Sequence, residues 1–389
     1  MSNTIKVNYY DQFKCIADKC SLSCCQEWRI AVDDETHQKW QGVQLQGVTE
    51  AGKNKEPLEL CSCVKKDENG YVVALKQDQQ CPFLNQKKLC NLVIELGEAY
   101  LSDTCTTFPR QINEFGERTE YSLASCCPAV VDLLNENEGK LQFQQEGSSK
   151  QSDEVLMAVR DMLIAVMEEE SYSVPERLMM LFYALLDLQT KKKLTQEQIK
   201  SHSAKKYLEP VVEAIRNMKF DLMDTFFERN ELFLDIVENY RKQKLYVNYI
   251  EEISVLAESL EEEYSDEELL EKLEDFEAQL IPYEKLFKNY LVAELFGNSL
   301  MPDMTLEDLI IAFEWITLEY SVIKQGIFLK WLSGGSKEMT YTMVRDYITV
   351  ISRITGYDHS DIKEYLENSF ESIIWEWGYL ALVVGHEKI

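Results

Sequence analysis

The sequence predicts a mainly α protein: a cysteine-rich, metal- or cluster-binding N-terminal domain with little β, followed by an all-α helical domain. Three observations carry this expectation. All eleven cysteines of the 389-residue chain fall between Cys15 and Cys127. Beyond residue 153, apolar side chains recur at helical spacing behind recognisable caps. In between, residues 135–153 (NENEGKLQFQQEGSSKQSD) are polar with glycines and serines, as an exposed loop would be. The expected organisation is therefore 1–135 as the cysteine-rich domain, 136–152 as linker and 153–389 as an acidic α-helical domain.

Within the first region, Asn69-Gly70 ahead of Tyr71-Val-Val-Ala-Leu75 predicts a turn leading into a strand, hence a small hairpin. Leu89, Leu92, Val93, Leu96 and Tyr100 are spaced as on a helix. Past the linker, Ser173-Val-Pro-Glu176 combines an N-cap, a first-turn proline and a capping-box glutamate ahead of the run through Leu186. Ser265-Asp-Glu-Glu268 is a second capping box, followed by Leu269, Leu273, Phe276 and Leu280. Thr305 with Asp308 opens another helix, carrying Leu309, Ile310, Phe313 and Ile316. Ser360 is expected to open a last one with Ile362, Tyr365, Leu366, Phe370, Ile374 and Trp377. The same periodicity predicts roughly nine to eleven helices in this region. No fixed repeat of 30 to 45 residues is visible, so a regular solenoid is not supported.

Composition narrows the partners. With 45% hydrophobic residues the chain reads as globular, and its longest strongly apolar run, from Leu178 to Leu186, is too short to cross a bilayer. The opening MSNTIKVNYYDQFKC lacks an apolar leader, so a cytoplasmic protein is expected. Net charge is −28, unevenly spread: residues 1–130 carry 14 Lys+Arg against 18 Asp+Glu, leaving 26 against 50 for the rest. An acidic surface repels phosphate backbones and anionic lipids, so neither nucleic acid nor membrane is an expected partner. It could attract a lysine-bearing protein, although ordinary solvation of helix faces is the simpler explanation and the one expected first.

Disulfides, a metal centre and apolar packing compete to explain the cysteines. An odd count in a chain without an export signal speaks against a disulfide framework. Packing thiols would scatter over the whole chain. Thiolates are soft ligands that favour zinc or iron-sulfur clusters, and with only His37 nearby the coordination would be all-sulfur. Paired Cys-x2-Cys knuckles, the usual zinc-ribbon sign, are absent, so spacing indicates a thiolate site without choosing the metal.

Phe13-x-Cys15, Cys20, Ser23-Cys24-Cys25-Gln-Glu-Trp28 and Asp33 resemble the opening of the flagellin lysine-N-methylase family, called FliB in bacteria. Cys81-Pro-Phe-Leu84, Leu89-Cys90, Leu96-Gly-Glu98, Leu101-Ser102, Thr104-Cys105 and Phe108-Pro-Arg110 look like its central motif, and Ser122-Leu123 to Cys127-Pro128 like its closing block. A weaker similarity covers Lys288 to Val292 with Leu295, Phe296 and Pro302. The Cys-Cys pair and the Cys-Pro-Phe-Leu block also resemble a broader group of zinc- or iron-chelating domains. Cys126 stands where the family usually has serine, Ala129 replaces an acidic residue, and Cys61 and Cys63 match no family position.

The resemblance implies S-adenosylmethionine-dependent methylation of surface lysines on flagellin, with a 4Fe-4S cluster, or zinc as the alternative, in the head. It implies metal ligands among Cys15, Cys20, Cys24, Cys25, Cys81, Cys90, Cys105 and Cys127. Of these, Cys20, Cys24, Cys81 and Cys90 are preferred, and of the adjacent Cys24 and Cys25 one is expected to ligate while the other packs. Only a neutral lysine amine attacks a sulfonium methyl, so the site must depress the lysine pKa or supply a base. Aromatic faces and carboxylates stabilise a cationic donor. Trp28, Asp33, Glu98 and Arg110 are the weak catalytic candidates, with Tyr9, Tyr10 and Tyr121 as further aromatic ones. Each also has a plain structural role open to it, as core, cap or ion-pair partner. No G-x-G occurs, so a donor site would lie outside the Rossmann scheme. The rival function is a non-catalytic Fe-S or zinc protein whose acidic body docks a partner.

Overall fold

The computed structural model describes residues 3–46, 57–147, 154–219, 221–356, 358–369 and 377–385. The protein is mainly α, with short strands confined to the N-terminal part of the chain. It divides into two compact units, Lys14–Arg110 and Met1–Phe13 with Gln111–Ile389, so the division falls at other residues than the expected 135 and 153. The reason lies in the first strand. β1 (Asn3–Val7) belongs to the larger unit, in parallel register with a strand at 118–123.

The cysteine-rich unit contains β2 (Ala31–Val32), α1 (Asp34–Lys39), β3 (Gln44–Leu45), β4 (Leu58–Glu59), β5 (Val64–Asp67), β6 (Gly70–Val73), α2 (Asn91–Leu96) and α3 (Asp103–Thr107). The expected hairpin is β5–β6, closed at Asp67↔Gly70 with Gly70 at φ 118°, and β2 extends it to three strands. The helix expected from Leu89 to Tyr100 is shorter. Gly97, at φ 85°, ends α2 after Leu96, and a 3-10 turn covers Glu98–Tyr100. The core of this unit holds Ile30, Trp40, Leu60, Phe83 and Leu92 together with the side chains of Cys63 and Cys81.

The larger unit begins with a four-stranded sheet of order β7-β8-β1-β9, from β7 (Arg110–Phe115), β8 (Arg118–Leu123), β1 and β9 (Phe143–Glu146), with α4 (Pro128–Glu136) before β9. Thus part of the expected linker is an edge strand, antiparallel to β1. It is held because Phe143 is apolar inside a polar stretch and packs on Phe296, ring centroids 4.5 Å apart. Residues 148–152 of that linker lie outside the described residues.

Twelve α-helices follow among the described residues, slightly more than periodicity predicts. The first six are α5 (Glu154–Met167), α6 (Val174–Gln189), α7 (Gln196–His202), α8 (Lys205–Asn217), α9 (Leu222–Lys242) and α10 (Val247–Glu263). The rest are α11 (Asp266–Leu280), α12 (Glu284–Asn298), α13 (Leu306–Ser333), α14 (Tyr341–Ile354), α15 (His359–Ser369) and α16 (Trp377–Val384). The capping boxes at Ser173, Ser265 and Thr305 form as the sequence predicts. Ser360 does not open α15. Instead Asp358 does, accepting the N–H groups of Ser360 and Asp361 at 2.8 and 3.1 Å, because a carboxylate can take two donors at a helix start. Phe370 and Ile374 lie outside the described residues.

α13 is apolar nearly all round and buried on every face from Leu309 to Leu329, so it forms the axis against which the other helices pack. No helix among the described residues is long and apolar enough to cross a membrane. α12 docks on the sheet through Gly297, where a Cβ would stand 3.0 Å from Gln111 Oε1 and 3.1 Å from Ser122 Oγ. Beside it, fully buried Arg160 of α5 grips Glu120 of β8 through two bonds of 2.6 Å, and Arg118 pairs with the same carboxylate.

Removing one partner of such a buried charge group leaves the other charges uncompensated. Glu120→Gln is therefore expected to lower the urea-unfolding free energy by about 3–5 kcal/mol. An unchanged midpoint would refute this account of how the sheet is tied to the helices.

Candidate functional site

The cysteine-rich unit builds its thiol group from three short loops. In the first, local bonds fix the chain. The Cys20 thiol donates to the Leu22 carbonyl at 3.0 Å, the Cys25 N–H donates to Ser23 Oγ at 3.1 Å, and Trp28 Nε1–H donates to the Cys24 carbonyl. The second loop is joined to the first by the Cys81 N–H, which donates to the Cys25 carbonyl at 2.7 Å. After Cys81-Pro-Phe-Leu84 turns back on itself, Asn85 organises the return. Its side-chain oxygen accepts from Lys87 and Leu89 N–H at 2.8 and 3.1 Å, bringing Cys90 opposite Leu84. The third loop carries Cys105 on α3, whose N-cap Ser102 accepts the Cys105 N–H at 3.4 Å.

These loops bring Cys25, Cys81, Cys90 and Cys105 within electrostatic reach of one another. Burial pushes the Cys81 thiol far up, a Phe83 N–H opposes the shift, and Cys25, Cys90 and Cys105 add to it. The Cys90 thiol is raised chiefly by burial, with the Val93 and Leu92 N–H groups of α2 opposing and Cys25 reinforcing. Cys105 keeps residue surface exposed, yet protein atoms crowd around it and push its thiol up to about 11, with Cys25 and Cys90 contributing. Of the adjacent pair, Cys25 is the one packed against the core. Among the described residues, no three Cys, His, Asp or Glu side chains stand close enough together to hold a single metal ion.

An all-sulfur donor set with backbone N–H groups directed at two of its sulfurs has the chemistry an iron-sulfur cluster needs. Zinc accepts the same ligands. Of the expected quartet, Cys81 and Cys90 stand in this thiol group, beside Cys25 and Cys105. Cys15 is exposed, its sulfur accepting the Ala17 N–H at 3.4 Å, and Cys127 lies in the larger unit as the residue before α4. Cys61 and Cys63 direct their thiols at the carbonyls of His37 and Glu59.

The weak catalytic candidates have structural attachments. Trp28, besides its bond to Cys24, packs on Phe108 at 5.1 Å. Asp33 ties α1 to α3, accepting the Thr36 N–H at 2.7 Å and the Asp103 N–H at 3.0 Å. Partial burial raises its carboxyl, and these N–H bonds outweigh that, leaving it below the usual range. Glu98 is exposed at the start of its 3-10 turn, and Arg110 opens β7. Tyr10 and Tyr121, in the larger unit, meet edge to face at 5.5 Å and already hold the Lys6 ammonium, 5.3 and 5.9 Å from their centroids.

Sequence reasoning missed a second group of chemistry-bearing residues, inside the helical unit. Glu294 of α12 and Glu319 of α13 are both buried. Glu319 accepts from Tyr290, from Thr355 and, at 3.2 Å, from Ser352, while Glu294 accepts from Asn298. Burial first, then the Glu319 charge, holds Glu294 up at about 7, and burial raises Glu319 as well. The Tyr9 hydroxyl, buried near Glu294, has no hydrogen-bond partner among the described residues. The signal was present: a glutamate inside an otherwise apolar helix is rarely buried without a role.

Fold and site together define a mainly helical protein of two compact units with a convergent thiol group in the smaller one. The model of the FliB lysine N-methylase C-terminal domain matches residues 160–383. The chain belongs to the FliB lysine N-methylase family. It is similar to the flagellar biosynthetic protein FliU of Salmonella muenchen, 26% identical over 147 residues, 37% of this chain and 84% of the relative. It is also similar to the lysine-N-methylases of Salmonella choleraesuis (strain SC-B67) and Salmonella typhimurium (strain LT2), each 27% identical over 131 residues, 33% of this chain and 31% of the relative. The match thus spans about a third of those two enzymes. No solved structure matches the chain.

Two pH effects follow. An unfolded glutamate loses its proton near pH 4.3, whereas folded Glu294 keeps it until about 7. The folded state binds the extra proton, so this contribution to stability is complete below the unfolded value and is lost as pH rises through about 7. Thermal melts should show Tm falling between about pH 4.3 and about pH 7, with a flatter slope in Glu294→Gln. The raised thiols must lose protons before they ligate, so iron or zinc loading should release protons and weaken as pH falls, as a pH-stat titration would register.

Proposed function

We propose that the protein transfers methyl groups from S-adenosylmethionine to surface lysines of flagellin, in the cytoplasm, with a 4Fe-4S cluster in its cysteine-rich unit. The observation that carries the reading is the FliB family match over residues 160–383, preceded in the same chain by a convergent thiol group. Cys25, Cys81, Cys90 and Cys105 would hold the cluster, with Cys15, Cys20, Cys24 and Cys127 as the remaining sulfurs the family resemblance points to. Zinc is the alternative occupant. All eleven cysteines carry thiols rather than disulfides, which suits the reducing cytoplasm.

S-adenosylmethionine, when bound, supplies an electrophilic methyl on a sulfonium. The chain must present the lysine amine without its proton, since the ammonium has no lone pair to attack with. Its acidic body, with 50 Asp+Glu against 26 Lys+Arg beyond residue 130, attracts a lysine-bearing surface at long range. The same field opposes nucleic acid and anionic membranes.

Anaerobically reconstituted protein, incubated with flagellin and S-adenosylmethionine, is expected to add mass to flagellin in one-methyl steps. Cys81→Ser and Cys90→Ser should each lose iron and sulfide along with the blue-end absorbance band of a cluster. Stoichiometric zinc without iron would replace the cluster by zinc. Metal binding with no flagellin mass change would leave a non-catalytic metal protein in its place.

A further inference from the structure

The helical unit contains a cavity of about 800 Å³, inside the region matched to the family and far in sequence from the cysteines. That volume lies within the roughly 300–1,000 Å³ of small-molecule sites. It is bounded by the α5–α6 loop and the start of α6, by the α11–α12 junction, by Arg216 of α8, and by α13. The lip carries exposed Glu170, Ser171, Glu284 and Lys285, while Arg177, Phe287, Lys288, Tyr320 and Lys324 are buried deeper.

The cations of the lining differ in what already satisfies them. Lys288 is paired with Glu168 at 2.9 Å and Glu170 at 3.5 Å, Lys324 with Glu277 at 2.9 Å, and Arg216 with Glu176 through bonds of 2.6 and 3.2 Å. Arg177 is the exception. It is only 6% exposed, and its guanidinium donates to two neutral groups, the carbonyls of Ser173 and Met167. Among the described residues no carboxylate stands in ion-pair contact with it, although Glu168, Glu170 and Glu284 bear on it from farther off. A guanidinium has five N–H donors in a planar fork that matches a carboxylate. Buried on a cavity wall beside the Tyr320 hydroxyl, with carbonyls as its hydrogen-bond acceptors and no carboxylate in ion-pair contact, it can receive an anion.

A purely anionic ligand would meet Glu170, Glu176, Glu277 and Glu284 around the same cavity, so a nucleotide polyphosphate is disfavoured. A ligand carrying both charges is not. Its carboxylate can lie on Arg177 while its cationic groups face Glu170 and Glu284 at the lip. Tyr172, Phe287 and Tyr320 line the space between, Phe287 and Tyr320 meeting edge to face at 5.7 Å, and such faces accept both a flat ring and an onium centre.

We infer that this cavity binds a zwitterionic α-amino acid with an aromatic extension, its carboxylate held by Arg177. Resting on the function proposed above, that ligand is the methyl donor. The site then replaces the glycine-rich strand-to-helix cradle that the sequence lacks.

Full-length protein should be titrated calorimetrically with S-adenosylhomocysteine and S-adenosylmethionine, and an 8-azido-adenosyl analogue photocrosslinked and mapped. Ser171→Trp, an exposed substitution that fills the lip, is expected to keep the wild-type circular dichroism spectrum and to weaken both ligands at least about tenfold. Arg177→Met should abolish binding. If Arg177→Met fails to fold, Ser171→Trp carries the test. Label should appear in peptides spanning 170–177 or 281–288. Unchanged affinity in folded Ser171→Trp, label elsewhere, or no binding of either ligand by the wild type overturns the inference. Flagellin mass increments by the wild type, measured alongside, tell whether the methyl-transfer reading falls with it or survives.

Discussion

The parallel pairing of β1 with β8 is the constraint that organises the chain. Antiparallel strands can be joined by a tight turn, but parallel neighbours need a crossover connection of a dozen residues or more. Here that connection runs from Asn8 to Glu117, and the cysteine-rich unit is contained within it. The unit is therefore an insertion in the larger one. Its two ends, near Phe13 and Gln111, are flanked in sequence by β1 and β7 of one sheet. Glu120 sits in that register opposite Ile5, so the pairing that closes the crossover also delivers the carboxylate that Arg118 and Arg160 neutralise.

Inside the insertion, packing and chemistry draw on the same side chains. Cys81 is a core residue beside Phe83 and Leu92, and Cys25 and Cys90 lean on that core. Without metal, the core tolerates them because a buried thiol stays neutral, which the upward shifts of Cys81, Cys90 and Cys105 express. A bound metal or cluster reverses the preference, since its positive charge offsets the burial cost of the thiolates. The N–H groups of Phe83, Leu92 and Val93 directed at sulfur already favour the ionised form. In a small unit with short strands and helices of five or six residues, a metal bound there as proposed would add stability to that of the apolar core.

What could be read from sequence was local. The capping boxes at Ser173, Ser265 and Thr305 and the hairpin at Asn69-Gly70 rest on contacts within a few residues, and all formed. Those features depending on distant partners were not legible. Residues 143–146 look like linker because three of the four are polar, and only pairing with β1 and the ring of Phe296 make them a strand. The grouping of Met1–Phe13 with Gln111–Ile389 was not legible for the same reason, since nothing near Val7 announces a partner more than a hundred residues away. In the thiol group, the motif blocks named Cys81 and Cys90. That Cys25 rather than Cys24 packs beside Cys81 depends on the backbone bond from Cys81, a tertiary fact. Glu294 and Glu319 lay in plain view as charges within apolar helices, and helix periodicity alone gives no reason to ask what they face.

Net charge and local potential also have to be kept apart. The part of the chain beyond residue 130 is strongly acidic, yet several of its most deeply buried charged groups are cations: Arg160, Arg177, Lys288 and Lys324. Exposed carboxylates act through water, where a Debye length of about 8 Å limits their reach at physiological salt. Buried groups act at close quarters through a medium of much lower dielectric. An acidic exterior and a buried guanidinium on the cavity wall, that of Arg177, therefore do not cancel. Under the proposed function, the first would bias which macromolecules approach, and the second would select the small molecule held inside. One helical unit can in this way attract a lysine-rich surface and still retain a ligand that bears a carboxylate, a combination that total charge taken alone would rule out.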